Sequence, residues 1–449
     1  MTEYPLLRAR GDDAPIAMGP GGPVSAGNFL ADIAALAARL PRRGQMINLC
    51  RHRYRFAVGF AAALCRQQFN LLPPNDASAT LAQIALDYPG SYCLTDSESP
   101  AGLDALQFPA DLPHDAEPQA VPCFAADQPA AVLFTSGSTG RPQPHVRSWG
   151  DLVISALAAG RRFAIESLGS ASLLGTVPHQ HSYGLESLLM LALQHGLVLH
   201  GGRPFYPADV VAELRTARRP VTLVTTPLHL RVLLAHPDDL PRVDLLLCAT
   251  APLSNELARA AEARFAVALH EIYGCSEAGQ IATRRTAMTD EWHCLDGIVL
   301  RQDTAGTWAS GTPIASETLL SDAIELHDQQ HFLLHGRIAD VVNVAGKRSS
   351  LAYLNHHINA IEGVRDAAFF APDGDGDRVA VSRLVAFAVA PDLTAEHIRA
   401  ALRKRIDAAF MPRPLLLVDA LPRNALGKLP RETVLRMLTE HTQDSLQDT

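Results

Sequence analysis

Short apolar runs alternate with helix-like stretches from Ser25 to Ile272. Runs such as 131–134, 173–177 and 221–225 have the length and continuity of buried strands, and the stretches between them place apolar residues three or four positions apart. Continuous apolar strands that alternate with amphipathic helices are typical of a parallel sheet covered on both faces. The pattern therefore predicts an α/β fold with mostly parallel sheets.

The pattern changes after Gln280. Short β-like segments with Gly and Asp turns fill 280–335, which predicts a small β subdomain. Helices over 350–361, 394–409 and 430–439, with strands between them, predict a compact α+β unit at the C-terminal end. A chain of 449 residues favours roughly two or three domains. We expect an N-terminal domain of residues 1–336 and a C-terminal domain of residues 337–449.

Composition narrows the function. The net charge is −8 and the pI about 6.1, so the basic surplus typical of a nucleic-acid binder is missing. The seven cysteines include no C-x-x-C pair, which favours a reducing compartment over a disulfide framework or a zinc site. The longest apolar stretch, 56–65, is too short for a membrane span, and the N-terminus does not resemble a signal peptide. We expect a cytoplasmic protein of undetermined oligomeric state.

Residues 131–150 carry the first candidate site. An expected strand runs into six residues, Thr135 to Gly140, that are all hydroxylated or glycine. Backbone N–H groups and hydroxyls in such a loop bind anions. Ser148 and Asp151 form a capping-box pattern that predicts a helix start. Strand, loop and helix in this order favour a phosphate-binding loop, although a flexible surface loop fits the same residues.

Other candidate groups follow expected strands. Glu277, beside Ser276, follows an expected strand over 267–272 and could hold Mg²⁺, or it could form a surface ion pair. His181 stands in a loop with a second histidine but with no third ligand nearby, which favours a pocket wall over a metal site. Arg337 at the domain junction fits a hinge or a hairpin. Lys428, in a loop beside glycine, could stabilise negative charge or be solvated.

Four segments in order resemble the signature of the adenylate-forming superfamily, which includes acyl- and aryl-CoA synthetases, peptide-synthetase adenylation domains and luciferases. These segments are TSGSTGRPQ (135–143), YGCSEAG (273–279), GRIADVVNVAGKR (336–348) and PRNALGKLPR (422–431). The resemblance implies a large domain that binds ATP and a carboxylic acid, and a small, mobile domain that closes over them. It implies an acyl-adenylate and pyrophosphate as first products, followed by acyl transfer to a thiol.

The resemblance also implies roles for the matching residues. Lys428 would bridge the carboxylate and the α-phosphate, Ser276 would contact the α-phosphate, and Glu277 would hold Mg²⁺. Asp322 and Arg337 would bind the ribose. The implied nucleotide-binding set comprises Thr135, Ser136, Gly137, Ser138, Thr139, Gly140, Thr250, Ala251, Pro252, Tyr273, Gly274, Asp322 and Arg337. This assignment suits carboxylate attack on a phosphate, where positioning, Mg²⁺ and cations carry most of the catalysis.

The expected acid pocket is polar. By resemblance it includes His181, Ser182, Tyr183, Thr225, Thr226, Cys275 and Gln280. A small hydroxylated aromatic acid would give these groups partners, whereas a fatty chain would leave them unpaired. The chain also resembles, more loosely, the stand-alone ligases of aryl-polyene and xanthomonadin-type pigment pathways. We therefore expect a hydroxybenzoate, such as 3-hydroxybenzoate, to be loaded onto the phosphopantetheine of an acyl carrier protein.

Alternatives remain open at this point. One is a CoA ligase for an aryl or medium-chain fatty acid, and another is a nucleotide-binding pseudo-ligase without turnover. The second is raised by departures from the superfamily pattern, because Gln143 replaces the phosphate-loop lysine and Ala339 replaces an acidic hinge residue. Four basic residues lie on the helix expected at 394–409: Arg399, Arg403, Lys404 and Arg405. An acidic carrier protein could dock there, although a solvated helix face is the more common explanation for such residues.

Overall fold

The computed structural model describes residues 2–42, 44–112, 119–136, 142–237, 239–314, 316–337, 341–344, 347–372, 384–423 and 429–447. The chain forms two compact units. The large unit contains residues 1–249, 255–300 and 308–318, and the small unit contains residues 250–254, 301–307 and 319–449.

The strands of the described residues are short. In chain order they are β1 (Glu3–Pro5), β2 (Pro15–Gly19), β3 (Gly22–Ser25), β4 (Met46–Asn48), β5 (Asn70–Leu72), β6 (Tyr92–Thr95), β7 (Ala105–Gln107), β8 (Cys123–Ala125), β9 (Pro129–Ser136), β10 (Pro142–Ser148), β11 (Ser172–Gly175), β12 (Val198–His200), β13 (Val221–Thr225), β14 (Leu245–Cys248), β15 (Leu269–Cys275), β16 (Gly279–Arg284), β17 (Glu291–Cys294), β18 (Ile298–Asp303), β19 (Gly306–Gly311), β20 (Thr318–Leu319), β21 (Asp322–Leu326), β22 (His331–Arg337), β23 (Val341–Val344), β24 (Lys347–Ser350), β25 (Asp366–Phe370), β26 (Val385–Val389) and β27 (Leu415–Leu417).

Helices connect most of the parallel strands. They are α1 (Ala26–Arg39), α2 (Arg53–Cys65), α3 (Ser78–Asp87), α4 (Trp149–Arg162), α5 (Ser182–Gly184), α6 (Leu191–His195), α7 (Pro207–Thr216), α8 (Pro227–Leu234), α9 (Asn255–Phe265), α10 (Leu351–Asn359), α11 (Ala395–Leu402) and α12 (Arg431–Gln447). A π-helical segment, Leu185–Met190, joins α5 to α6, and that helical stretch ends at Gly196 in the left-handed conformation. Glycine is the residue that adopts this conformation with least strain.

Two mostly parallel sheets form the large unit. One has the order β10-β9-β5-β4-β6-β7, and the other runs β17-β16-β15-β14-β13-β11-β12-β2-β3. Antiparallel pairs occur at the ends of the sheets, between β9 and β10, in the run β15-β16-β17, and between β2 and β3. The buried core includes Leu36, Phe56 and Trp149. The predicted α/β class with mostly parallel sheets is confirmed.

The structure corrects the expected course of residues 142–148. They form strand β10, antiparallel to β9, so a strand stands between the phosphate loop and helix α4. Pro142 and Pro144 obscured this strand, because proline cannot donate to a sheet ladder. The edge position of β10 tolerates both prolines. The N-terminus of α4 therefore does not follow the loop directly.

The region after Gln280 consists of short strands, as expected, and β18, β19 and β20 form a three-stranded sheet of their own. Strands β16 and β17 extend the large sheet, and the chain passes between the two units within β18 and again within β19. Strand β16 joins the large sheet through its antiparallel pairing with β15.

The small unit has its own α+β core. Strands β25, β26 and β27 form a sheet that packs with α10 and α11 around Leu354, Ala386 and Ile398. The expected helix over 394–409 is shorter, because α11 ends at Leu402 and residues 403–405 form a turn. Among the described residues, no helix is long and apolar enough to cross a membrane.

Candidate active site

The phosphate-loop candidate begins at the end of β9. Thr135 pairs with Gln143, and Ser136 pairs with Pro142, across the β9–β10 hairpin. The tip of the hairpin, with Gly137, Ser138, Thr139 and Gly140, lies outside the described residues. The structure thus describes both strands that enter and leave the predicted loop, and Gln143 is exposed on the second of them.

The far end of β10 is firmly anchored. Ser148 accepts a hydrogen bond from the backbone N–H of Asp151 at 3.1 Å, and its own N–H donates to the Asp151 carboxylate at 3.1 Å. The predicted capping box is therefore present. Next to it, the buried indole of Trp149 donates to the carbonyl of Tyr4 at 3.0 Å. These contacts fix the strand that leaves the loop.

Glu277 lies beside the start of the phosphate loop. It occupies the turn between β15 and β16, and its side chain is 41% exposed. His145 of β10 joins the two elements: its Nε2 lies 3.0 Å from Oγ1 of Thr135 and 3.7 Å from Oε1 of Glu277. The motifs that begin at Thr135 and Tyr273, far apart in sequence, therefore meet in the large unit.

A buried ion pair supports the same turn. The Arg147 guanidinium lies 3.7 Å from the Glu186 carboxylate, and both side chains are at most 3% exposed. Glu186 accepts hydrogen bonds from Ser155 at 2.7 Å, from Ser182 at 2.9 Å and from the N–H of Gln280 at 3.2 Å. The two terminal nitrogens of Arg147 have no hydrogen-bond partner among the described residues.

Gly279 is required where the ion pair meets the turn. Its φ is +78°, and a Cβ at this position would lie 2.3 Å from a terminal nitrogen of Arg147 and 2.9 Å from Glu186. Gly274, on the opposite strand of the hairpin, has no room for a side chain either, because a Cβ would meet the Gly279 carbonyl at 2.3 Å. Both glycines of the YGCSEAG segment are thus explained by close approach.

The other residues of that segment mainly contact neighbouring protein groups. Tyr273 is 8% exposed and packs against Trp292 with ring centroids 5.7 Å apart. Burial, and then the neighbouring Glu277 carboxylate, raise the pKa of the Cys275 thiol to about 12. Cys275 therefore remains a neutral thiol at physiological pH. Ser276 lies in the turn and is half-buried.

Several predicted acid-pocket residues are brought together around β13. Tyr183 donates to the carbonyl of Thr225 at 3.2 Å, and burial raises the pKa of its phenol. The Thr225 hydroxyl is hydrogen-bonded to Thr176 at 3.1 Å. Thr226 caps helix α8 and lies 2.8 Å from Nδ1 of His229. The two threonine hydroxyls thus already have partners within the protein.

Gln280 differs from these threonines. Its amide nitrogen donates to Ser187 at 3.0 Å, but its amide oxygen is buried without a partner among the described residues. A buried acceptor without a partner costs about 1–3 kcal/mol, so a ligand donor at this point would be favourable. Ser182 lies on the same Glu186 network, and His181 precedes it at the start of α5.

Two buried groups near this pocket were missed by the sequence analysis. Arg53 is 1% exposed and donates to the carbonyls of Gly175, Val177, His200 and Gly202. Burial lowers its pKa to about 10, so the guanidinium stays charged at neutral pH.

His179 is the second buried group that was missed. It is 2% exposed, and its Nε2 lies 2.8 Å from the Cys50 carbonyl. Burial, and then the charge of Arg53, lower its pKa to about 3, so the imidazole is neutral at physiological pH.

The small unit carries the other predicted nucleotide-binding residues. Asp322 and Arg337 face each other across the β21–β22 hairpin, although the Arg337 side chain lies outside the described residues. In the segment Thr250, Ala251, Pro252, the φ of Thr250 is +84°, a region in which a β-branched residue is strained. Lys428 also lies outside the described residues, as do Ala339 and Asp340.

The donor set suits magnesium in one respect. Among the described residues, no three His, Cys, Asp or Glu side chains converge on a common point. Mg²⁺ in proteins is commonly held through one or two carboxylates, with substrate phosphates and water completing the shell. A partly exposed Glu277, which shares the neighbour His145 with the Thr135 hydroxyl, fits that pattern.

Fold and site together define an α/β protein in which the hairpin that carries the predicted phosphate loop lies close to a carboxylate of a neighbouring turn. Two family profiles match the chain: AMP-binding enzyme over residues 42–308, and AMP-binding enzyme C-terminal domain over residues 356–428. The chain belongs to the AMP-binding enzyme family, and the expectation of an AMP-forming acid–thiol ligase is confirmed at that level.

Relatives agree with this assignment. The 4-coumarate–CoA ligase of Rhodobacter capsulatus is 28% identical over 66% of this chain and 74% of its own. The 4-chlorobenzoate–CoA ligase of an Arthrobacter species is 25% identical over 76% of this chain and 74% of its own. The fold matches O-succinylbenzoate coenzyme A synthetase from Bacillus subtilis, in complex with ATP and magnesium ion, with a TM-score of 0.81, 18% identity, and coverage of 97% and 100% of the two chains.

Proposed function

We propose that this protein activates a small hydroxylated aromatic acid, such as 3-hydroxybenzoate, with ATP and Mg²⁺, and transfers the acyl group to the phosphopantetheine thiol of an acyl carrier protein. The observation that carries the choice of acid is the buried amide oxygen of Gln280, which has no hydrogen-bond partner in the part of the chain that the structure describes. The hydroxyl of such an acid would donate to it, whereas an alkyl chain would leave it unpaired. The names of the two relatives, which specify coumarate and chlorobenzoate, also favour an aromatic acid.

The first step of the proposed reaction follows from the roles that the resemblance implies. The acid carboxylate attacks the α-phosphorus of ATP, the bond to the bridging oxygen breaks, and pyrophosphate leaves. Thr135 and the N–H groups of the loop bind the departing phosphates, and Ser276 contacts the α-phosphate. Bound Mg²⁺ would neutralise phosphate charge, and Glu277 is the residue that would hold it. The transition state is strongly anionic, so these interactions strengthen as it forms.

The small unit carries further residues with proposed roles. By resemblance, Lys428 places its ammonium between the attacking carboxylate and the α-phosphate, and Asp322 and Arg337 bind the ribose. Thr250, Ala251 and Pro252 lie beside the adenine. We retain the functional division at residues 336/337, and we propose that the enzyme acts in the cytoplasm.

The acceptor has two candidates. Residues 337–449 carry 15 basic and 14 acidic side chains, whereas the whole chain carries 39 and 47, so the C-terminal part is less acidic than the rest. That favours docking of an acidic carrier protein there. However, Arg403, Lys404 and Arg405 leave the helix for a turn, so they do not form the single basic helix face that we expected. CoA is the second candidate, favoured by the names of the relatives.

A product assay tests the proposal. The protein is incubated with ATP, Mg²⁺ and 3-hydroxybenzoate, benzoate or decanoate, with either CoA or a phosphopantetheinylated carrier protein as acceptor. AMP and the thioester are then measured by mass spectrometry. We expect AMP and a carrier-bound hydroxybenzoyl thioester, with benzoate about tenfold slower because it lacks the hydroxyl, a loss of about 1.4 kcal/mol. Preference for decanoate contradicts the acid, preference for CoA contradicts the acceptor, and absence of AMP with every acid favours a pseudo-ligase.

A further inference from the structure

We propose that His145 is a positioning residue that holds the Thr135 hydroxyl and the Glu277 carboxylate at the spacing required to bind Mg²⁺ with the phosphates of ATP. This inference rests on the proposed function. It concerns a histidine that lies outside the four segments on which the family resemblance was drawn, and that the sequence analysis did not single out.

The imidazole connects two sheets of the large unit. Thr135 stands near the end of β9 in one sheet, and Glu277 stands in the β15–β16 turn of the other. One ring nitrogen, Nε2, is 3.0 Å from the hydroxyl and 3.7 Å from the carboxylate. A single side chain therefore contacts both a group of the phosphate loop and the group expected to hold the metal.

The strand geometry directs the ring to this point. Side chains on a strand alternate between its two faces, so Gln143, His145 and Arg147 share one face of β10, and Pro144 and Val146 share the other. Val146 is 58% exposed, whereas the His145 side chain is only 19% exposed. A histidine one residue earlier or later would project away from Glu277.

The other end of the Glu277 turn is already fixed. Two residues beyond Glu277, Gly279 packs against Arg147 and Glu186, leaving no room for a Cβ. The next residue, Gln280, donates its N–H to the Glu186 carboxylate. The Glu277 carboxylate itself is 41% exposed. Within its own turn it accepts a hydrogen bond from the neighbouring Cys275 thiol, and His145 contacts it from β10, so His145 links its position to that of Thr135.

The His145 ring and the Glu277 carboxylate differ in solvent exposure, as a positioning role for His145 requires. The ring is largely enclosed, and an enclosed group loses little further freedom when a ligand binds. The carboxylate remains open, so that it can exchange water for a metal ion and phosphate oxygens. Loss of the ring should therefore weaken binding of Mg²⁺ with ATP while leaving binding of ATP alone almost unchanged.

Two isosteric substitutions isolate the contribution of Nε2. The amide nitrogen of His145→Gln can reach the position of Nε2, whereas that of His145→Asn reaches only the position of Nδ1. A matched control is His293→Gln, because His293 is an exposed histidine on β17 of the same unit. ATP binding is measured by calorimetry over a series of Mg²⁺ concentrations, with the denaturation midpoint of each variant recorded alongside.

We expect His145→Asn to raise the Mg²⁺ concentration for half-maximal ATP binding about tenfold, which corresponds to about 1.4 kcal/mol. His145→Gln should stay within about twofold of the wild type, and His293→Gln should match it. In pyrophosphate exchange, the Asn variant should show a raised KM for ATP at low Mg²⁺ that excess Mg²⁺ restores.

The outcomes separate this inference from the proposed function. If the wild type binds ATP and exchanges pyrophosphate but His145→Asn shows the same Mg²⁺ dependence, the positioning role is wrong and the proposed function stands. The role is equally overturned if His145→Gln is as weak as His145→Asn, since Nε2 would then have no special part. If the wild type neither binds ATP nor exchanges pyrophosphate with any acid, the proposed function itself is wrong.

Discussion

Arg53 and Arg147 are both buried in the large unit, and they are stabilised in different ways. The terminal nitrogens of Arg53 donate to four backbone carbonyls. Arg147 faces the carboxylate of Glu186 at 3.7 Å, and its terminal nitrogens have no hydrogen-bond partner among the described residues. One guanidinium is held by hydrogen bonds and the other by charge.

This difference in partners distinguishes the region around Arg53 from the region around Arg147. Arg53 ties together the ends of β11 and β12 and the chain that follows each of them. Arg147 supports the turn of Glu277 through a contact that is longer than a hydrogen bond. A charge pair at this distance can tighten or adjust without breaking a fixed geometry. We therefore expect the Arg53 region to be rigid, and the turn that carries Glu277 to be able to move slightly.

The largest expected effect is at Arg53. Arg53→Met leaves four carbonyls without their donor, so we expect the free energy of unfolding to fall by about 4 kcal/mol. Arg51→Met is the control, because Arg51 is 71% exposed and pairs with an exposed Asp76. That change should cost at most about 1 kcal/mol. The free energy of unfolding of both variants is measured by urea denaturation. Similar losses for the two would show that the buried Arg53 stabilises the fold no more than an exposed arginine does.

The second prediction concerns the charge pair. Glu186→Gln leaves the Arg147 charge buried and unpaired, so we expect a loss of about 3 kcal/mol. Arg147→Met should cost less, about 2 kcal/mol, because Glu186 keeps three hydrogen-bond donors. The double variant should be more stable than Glu186→Gln alone. Purely additive losses in the denaturation cycle would show that the two side chains are not coupled.

The pH dependence of stability tests the region around Arg53, because the buried His179 lies close to it. The pKa of His179 is about 3 in the folded protein and about 6.5 when unfolded. Between these values the unfolded chain binds a proton that the folded chain does not, so stability falls as pH decreases. His179 alone contributes a slope of up to about 1.4 kcal/mol per pH unit.

A variant isolates the contribution of His179 to the slope of stability against pH. His179→Asn should be less stable than the wild type at pH 7.5, because it loses the packing of the ring on Phe56, but its stability should fall less steeply between pH 6 and pH 4. His293→Gln, at an exposed position, should keep the wild-type slope. Equal slopes in the wild type and His179→Asn would mean that this imidazole is not buried in its neutral form.

The smallest expected effect is on nucleotide affinity. Gln143→Lys restores a cation beside the phosphate loop, so we expect the KM for ATP in pyrophosphate exchange to fall about fivefold, or about 1 kcal/mol. Gln330→Lys adds the same charge at an exposed turn of the small unit and should leave the KM unchanged. An unchanged or higher KM in Gln143→Lys would show that the loop does not need this charge.

Local periodicity was sufficient to predict most of the fold. The apolar strands and amphipathic helices of the large unit follow the expected pattern, and the capping box at Ser148 is present as predicted. β10 escaped prediction because two prolines interrupt it, and only the edge position in the sheet makes them acceptable. The helix over 394–409 was overextended because the pattern of basic and apolar residues continues into the turn that follows α11.

The candidate site was predictable only in part. The motifs located Thr135 and Glu277, but they did not indicate that His145 would join them. Arg53, Arg147 and Glu186 were missed because their partners are distant in sequence, and a contact between distant residues leaves no periodic signal. One signal was present along β10: polar side chains at every second position, which is the pattern of a strand with one functional face.

Acid-dependent exchange of labelled pyrophosphate into ATP is the most direct test of the account. It measures the reversible formation of the acyl-adenylate and needs no acceptor thiol. With 3-hydroxybenzoate, we expect the wild type to exchange label and Lys428→Ala to lose at least about a hundredfold in rate, because the developing negative charge loses its cation. Absence of exchange with every acid tested, or full exchange by Lys428→Ala, would contradict the proposed adenylation.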